Sequence, residues 1–187
     1  MNAISKWKRV SGTGALVFGL MLAGFGSCAI AATECNGTLS GVVVGGVVVN
    51  AGDFCTLGGA NVSGGVQVND GGILIACGST INGGVDANGA AEILFGAEEI
   101  DCDGDVINGG VRISNTGPGA FPPPAPSIAL ERSAIKGAVH LTGNQGPIAV
   151  AGNTISGGLF CGNNASDLDD EGNPSVVTGA VRCKFGD

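Results

Sequence analysis

The chain has 187 residues, 36 of them glycine, with 4% aromatic residues and a formal net charge of −8. All 16 acidic residues lie beyond residue 31 but only 5 of the 8 basic ones, so the chain after residue 31 carries −11. That charge repels nucleic acid and anionic lipid and excludes them as partners. Tyrosine is absent and the one tryptophan is Trp7, which argues against aromatic sugar-stacking platforms.

The N-terminus reads as a signal peptide over 1–31. Lys6, Lys8 and Arg9 form a positive segment, Ala15 to Phe25 is apolar but shorter than a membrane span, and Ala29-Ile30-Ala31 is an A-x-A cleavage site. The expectation is an exported protein, whether periplasmic, at the cell surface or secreted. A retained anchor is one alternative. Lipidation at Cys28 is another, because Phe25-Gly26-Ser27-Cys28 loosely resembles the bacterial lipobox. Residues 32–187 suit a single domain.

A repeat organises that domain. Aligned on the second residue of a Gly-Gly or Gly-Ala pair, the anchors are Gly46, Gly65, Gly84, Gly110, Ala138, Gly158 and Ala180, with successive spacings of 19, 19, 26, 28, 20 and 22. Three positions before each anchor stands Val or Ile, one position after stands Val or Leu, and three after stand Val49, Val68, Ala87, Ile113, Leu141, Cys161 and Cys183. The positions between, such as Gln67, Asp86, Arg112 and His140, are mostly polar. Alternation with period two marks a strand with one buried face. Seven such strands in one phase predict seven stacked coils with inward apolar ladders. The small pair marks a tight corner where coils approach closely.

A second apolar strand follows in most coils: Ile73-Leu74-Ile75, Ile93-Leu94-Phe95, Ile128-Ala129-Leu130 and Ile148-Ala149-Val150. Turn signals such as Asn69-Asp70-Gly71-Gly72 separate the strands. Left-handed hexapeptide solenoids build each coil from three hexapeptides. Spacings of 19 and above fit that poorly, which favours an all-β, right-handed parallel β-helix. The insertion at 114–127, with Phe121-Pro122-Pro123-Pro124, reads as a stiff surface loop, because proline cannot join a ladder. Phe121 is its candidate docking anchor. Residues 161–187 form a C-terminal cap region.

The motifs Ser63-Gly64-Gly65-Val66-Gln67-Val68, Asn82-Gly83-Gly84-Val85 and Asn108-Gly109-Gly110-Val111-Arg112-Ile113 resemble those of small secreted bacterial proteins with right-handed parallel β-helix repeats. They are distantly similar to the bactofilin-type polymerising solenoids. The resemblance spans about residues 37–183 and implies a fold rather than an activity.

Six cysteines follow the predicted cleavage site, and six allow 15 pairings. The repeat phase narrows them. Cys161 and Cys183 share one phase on adjacent coils. Cys35 and Cys55 stand at nearly the same distance ahead of their next anchors, Gly46 and Gly65, and so do Cys77 and Cys102 ahead of Gly84 and Gly110. The expected pairs are therefore Cys35–Cys55, Cys77–Cys102 and Cys161–Cys183, in an oxidising compartment. Buried free thiols are the alternative; no C-x-x-C supports zinc.

Two acidic segments are candidate calcium sites, the only cofactor expected, since calcium favours clustered carboxylates. Asp101, Asp103 and Asp105 match the start of an EF-hand loop, but Val106 replaces the turn glycine and Arg112 the twelfth-position glutamate. That segment reads as a solvated acidic corner. In the second, Asp167, Asp169 and Glu171 precede Gly172 at the sixth position, with Thr178 at the twelfth. Glycosidase chemistry needs two carboxylates at a set separation, and the Asp101 cluster is its one candidate pair source. His140, the single histidine, reads as an outward, solvated residue rather than a catalytic base. The outward columns are too irregular for ice binding.

The expected function is a non-enzymatic extracytoplasmic structural or surface-interaction solenoid. The alternatives are a carbohydrate-binding or carbohydrate-active β-helix and a calcium-stabilised rod. The expected partner is a cell-surface component or glycan. Val42-Val43-Val44 and Val47-Val48-Val49 make the first coil apolar on both faces and point to self-association there.

Overall fold

A computed structural model describes residues 31–120 and 126–186. The signal segment 1–30 with Cys28, and the proline stretch with Phe121, lie outside the described residues. The described residues hold strands and one 3-10 turn, Glu98–Ile100. Every strand pairing is parallel, and each coil stacks on the next, so the fold is a parallel β-helix.

Each coil has three faces. An eight-stranded sheet runs from Thr33–Glu34 through Val47–Val49, Val66–Val68, Val85–Asn88, Val111–Ser114, Val139–Thr142 and Leu159–Gly162 to Val181–Arg182. It is called the groove face below. A twelve-stranded sheet makes the other two. Its long strands Gly37–Val43 and Phe54–Val62 cross both of them. After Phe54–Val62 the sheet divides. Phe54 to Gly58 pair with Ile73–Cys77, and Asn61 and Val62 pair with Thr80–Ile81. The first branch, here the covered face, continues as Glu92–Phe95, Ile128–Glu131, Ile148–Ala151 and Leu168–Asp169. The second, the short face, continues in two-residue strands as far as Val176–Val177.

The groove face has one more rung than the seven anchors announce. Thr33 and Glu34 pair with Val47 and Val48, and the Cys35 N–H donates to the Val48 carbonyl at 2.9 Å. The stretch across each small pair is two strands on adjacent faces, with the pair as the corner. Inward columns on both are apolar: Val66, Val85, Val111, Val139 and Leu159 on the groove face, and Ile81, Ile107, Ile135 and Ile155 on the short face, are buried. Among the described residues the column ends at Val181, which is 49% exposed. On the first coil, Val43 is buried while Val42 and Val44 are exposed.

Two polar ladders hold the remaining corners. Asp105 Oδ1 accepts the Ser79 N–H, Ser133 Oγ the Asp105 N–H, Asn153 Oδ1 the Ser133 N–H, and Ser175 Oγ the Asn153 N–H, each within 2.7–3.0 Å. At the opposite corner Asn144 Oδ1 accepts the Thr116 N–H and Asn164 Oδ1 the Asn144 N–H, both at 3.1 Å. These side chains replace donors and acceptors that the bending backbone would leave unpaired.

Three disulfides staple the coils: Cys35–Cys55, Cys77–Cys102 and Cys161–Cys183, with Cα separations of 5.4, 4.8 and 4.9 Å. Such a set belongs to an oxidising, extracytoplasmic environment.

Candidate functional site

The outward residues of the groove face form one column in register. Glu34 pairs with Val48, then follow Gln67, Asp86, Arg112, His140, Phe160 and Arg182. Beside it the bare backbone of the small pairs leaves a long groove of about 610 Å³. Gly46, Gly65, Gly84 and Gly110 floor it, and Gln67, Asp86, Arg112 and His140 wall it. The floor admits at most a methyl, as at Ala138, because successive coils approach closely there through backbone. The groove therefore follows from the same glycines that make the corner.

His140 is less free than an outward position suggests. Its ring stacks on Phe160, centroids 4.9 Å apart and planes 19° off parallel, and the Arg182 guanidinium carbon lies 5.9 Å from the Phe160 centroid. His140 and Arg182 thus already use the Phe160 ring.

The predicted acidic sites rearrange. Among the described residues, the carboxylates of Asp101, Asp103 and Asp105 are not gathered into one group. Asp101 is exposed and left-handed at φ 55°, closing the 3-10 turn. Asp103 is exposed, and its carbonyl accepts the Gly78 N–H. Asp105 is 1% exposed and belongs to the corner ladder, so the segment is not a solvated corner throughout. Burial pushes the Asp105 carboxyl up to about 7 against the lowering effect of backbone N–H donors.

In the second segment, Asp167 lines a C-terminal pocket with Arg182 and Lys184. Asp169 Oδ1 accepts the Glu171 N–H at 2.8 Å. Glu171 instead meets two residues that the EF-hand comparison passes over. One carboxylate oxygen from each of Glu98, Glu131 and Glu171 lies within 4.8 Å of the other two. Glu131 points outward at the end of the covered-face strand Ile128–Glu131 yet is buried. Burial raises its carboxyl to about 7; the Glu98 N–H opposes the rise, and Glu99 and Glu171 add to it. The Glu171 carboxyl is raised by burial first, then by Glu99, Asp169 and Glu98.

Glu131 is buried because the covered face is covered. Ile75, Leu94, Ala129 and Ala149 form its outer column, and Ala97 and Cys102 of the 96–105 excursion pack on them. Arg132, at φ 49°, pins that excursion by donating to the carbonyls of Gly96 and Cys102. The signal for Glu131 in the sequence is an acid closing the apolar run Ile128-Ala129-Leu130. Compared with known protein families, with curated proteins and with solved structures, the chain matches none.

Proposed function

We propose that the chain is a non-enzymatic extracytoplasmic β-solenoid, exported by its N-terminal segment, that serves as a rigid surface-interaction module. The observation that carries this reading is the glycine-floored groove with its wall of Gln67, Asp86, Arg112 and His140. Parallel ladders and three disulfides fix the groove before any partner arrives, which lowers the ordering cost of binding. The three disulfides agree with export. A glycan is the favoured partner, because an amide, a carboxylate, a guanidinium and an imidazole in one line suit a hydroxyl-rich chain.

The test is binding of the mature protein to envelope fractions and to a glycan array, with Gln67→Trp to obstruct the groove and Arg112→Ala to remove its cation. Retention by the wild type and loss in both variants, without release of reducing sugar, is the expected result. Unchanged binding by the obstructed variant would place the interaction elsewhere. Released reducing ends would make the protein an enzyme.

A further inference from the structure

We infer that Glu98, Glu131 and Glu171 form a binding site for one divalent cation of the calcium class. The three carboxylates come from separate parts of the fold. Glu98 opens the 3-10 turn of the 96–105 excursion, Glu131 ends a strand of the covered face, and Glu171 sits at φ 51° in the turn after Leu168–Asp169. Their oxygens nevertheless converge within 4.8 Å.

Glu131 supplies an independent observation. It is 1% exposed, its Oε2 accepts the Glu98 N–H at 2.7 Å, and its Oε1 is buried with no hydrogen-bond partner among the described residues. A buried carboxylate oxygen without a donor is costly, and a cation held between three carboxylates removes that cost. Arg132, the neighbouring cation, donates to the Gly96 and Cys102 carbonyls, and its charge is the smallest of the influences on the Glu131 carboxyl. Glu99 and Asp169 add negative potential around the cluster.

The donor set is oxygen only, which suits a hard cation. Calcium accepts an irregular oxygen shell at about 2.4 Å per bond, which three carboxylates on separate elements can supply. Magnesium demands about 2.1 Å and a near-ideal octahedron, which such a set meets less readily. Glu98 and Glu171 are exposed, which leaves room for water to complete the shell. A cation here would clip the 96–105 excursion and the turn at Glu171 to the covered face. The inference does not depend on the groove.

The experiment uses the full mature chain with its disulfides intact and stripped with chelator. Calcium is titrated by calorimetry and by thermal unfolding, with magnesium as comparator. One calcium per chain is expected, with a Kd around 10⁻⁴–10⁻³ M as for other extracellular modules, and a higher melting temperature that magnesium does not reproduce. Glu98→Gln and Glu171→Gln, both at exposed positions, should each weaken binding by about tenfold or more, since charge count sets affinity. Asp101→Asn and Asp167→Asn should leave it unchanged. Terbium luminescence, quenched by added calcium, gives a second readout on variants that circular dichroism shows to be folded. No heat and no melting shift at about 5 mM calcium, an equal response to magnesium, or unaltered affinity in the Glu98→Gln/Glu171→Gln double variant would overturn the assignment.

Discussion

A Cβ built on Gly83 would lie 2.6 Å from the Gly65 nitrogen and 2.7 Å from the Gly64 carbonyl carbon. The first residues of the neighbouring pairs, Gly64, Gly109, Gly137, Gly157 and Gly179, meet backbone of the adjacent coil in the same way, with nearest atoms 2.5–2.7 Å away. The second residue of a pair faces mainly one carbonyl oxygen, at 2.8 Å for Gly65, and Ala138 and Ala180 occupy that position. The first position therefore excludes any side chain, and the second admits a methyl. Gly83→Ala should destabilise by about 1–3 kcal/mol or more, the range of overpacked cores, read as a lower denaturant midpoint. Gly58→Ala, with nothing within 4 Å, should be neutral. Asp105 carries a different residue-scale consequence. Its carboxyl is raised to about 7 from an ordinary 3.8, so the folded state holds its proton more tightly than the unfolded chain. Its contribution to stability is complete below about pH 4 and is lost as pH rises through 7, on the order of 4 kcal/mol from 1.36 kcal/mol per unit. Asp105→Asn keeps an oxygen for the Ser79 N–H and has no proton to lose. In chelator, its melting temperature should fall less between pH 4 and 8 than that of the wild type. A parallel fall in both proteins would show that Asp105 does not titrate as argued.

At the scale of strands and loops, phase was legible where stacking is regular. In a parallel coil, residues of equal phase stand one above another, which is why the spacing of Cys161 and Cys183 names them as partners. Cys55 stands in register with Gly37 while Cys35 continues the groove-face rung, so Cys35–Cys55 ties two adjacent faces instead. The inward columns around the small pairs follow from the same rule. Ile128–Glu131 and Ile148–Ala151 are buried on both faces, and a continuous apolar run announces that burial without saying what lies on the outside. The cover comes from the long Gly84-to-Gly110 spacing, whose 96–105 excursion folds back over the sheet. Spacing shows that residues are inserted, but their landing place depends on contacts such as Arg132 with Gly96. Glu98, Glu131 and Glu171 were hidden for this reason: they stand on different coils, far apart in the chain, and only the excursion and the turn bring them together. The Asp101 series reads as a solvated acidic corner, yet Asp105 already belongs to the buried corner ladder next to the strand Val106–Ile107.

For the whole molecule, a stack of coils pairs each rung only with its neighbours, so stability accumulates from coil-to-coil contacts and the ends are weakest. The C-terminal coil shows this directly. Val181 is 49% exposed and Val177 half-buried, while Leu159 and Ile155, their partners one coil inward, are buried. Among the described residues, its strands Val176–Val177 and Val181–Arg182 have a partner on one side only. Cys161–Cys183 joins that coil to the one beneath across a sequence separation of 22, a loop whose closure contributes about 3 kcal/mol in the chain-entropy model. Replacing both cysteines, Cys161→Ser with Cys183→Ser, should free the last coil without dissolving the middle of the stack. Native-state hydrogen exchange should then show lost protection over 176–186, with protection kept at Val85–Asn88 and Val111–Ser114, which have partners on both sides. Cys35→Ser with Cys55→Ser should do the same to the first rung, where Thr33–Glu34 is held by a two-residue pairing and one disulfide. Equal loss of protection along the whole stack in either variant would mean that the solenoid unfolds as one unit rather than from its ends.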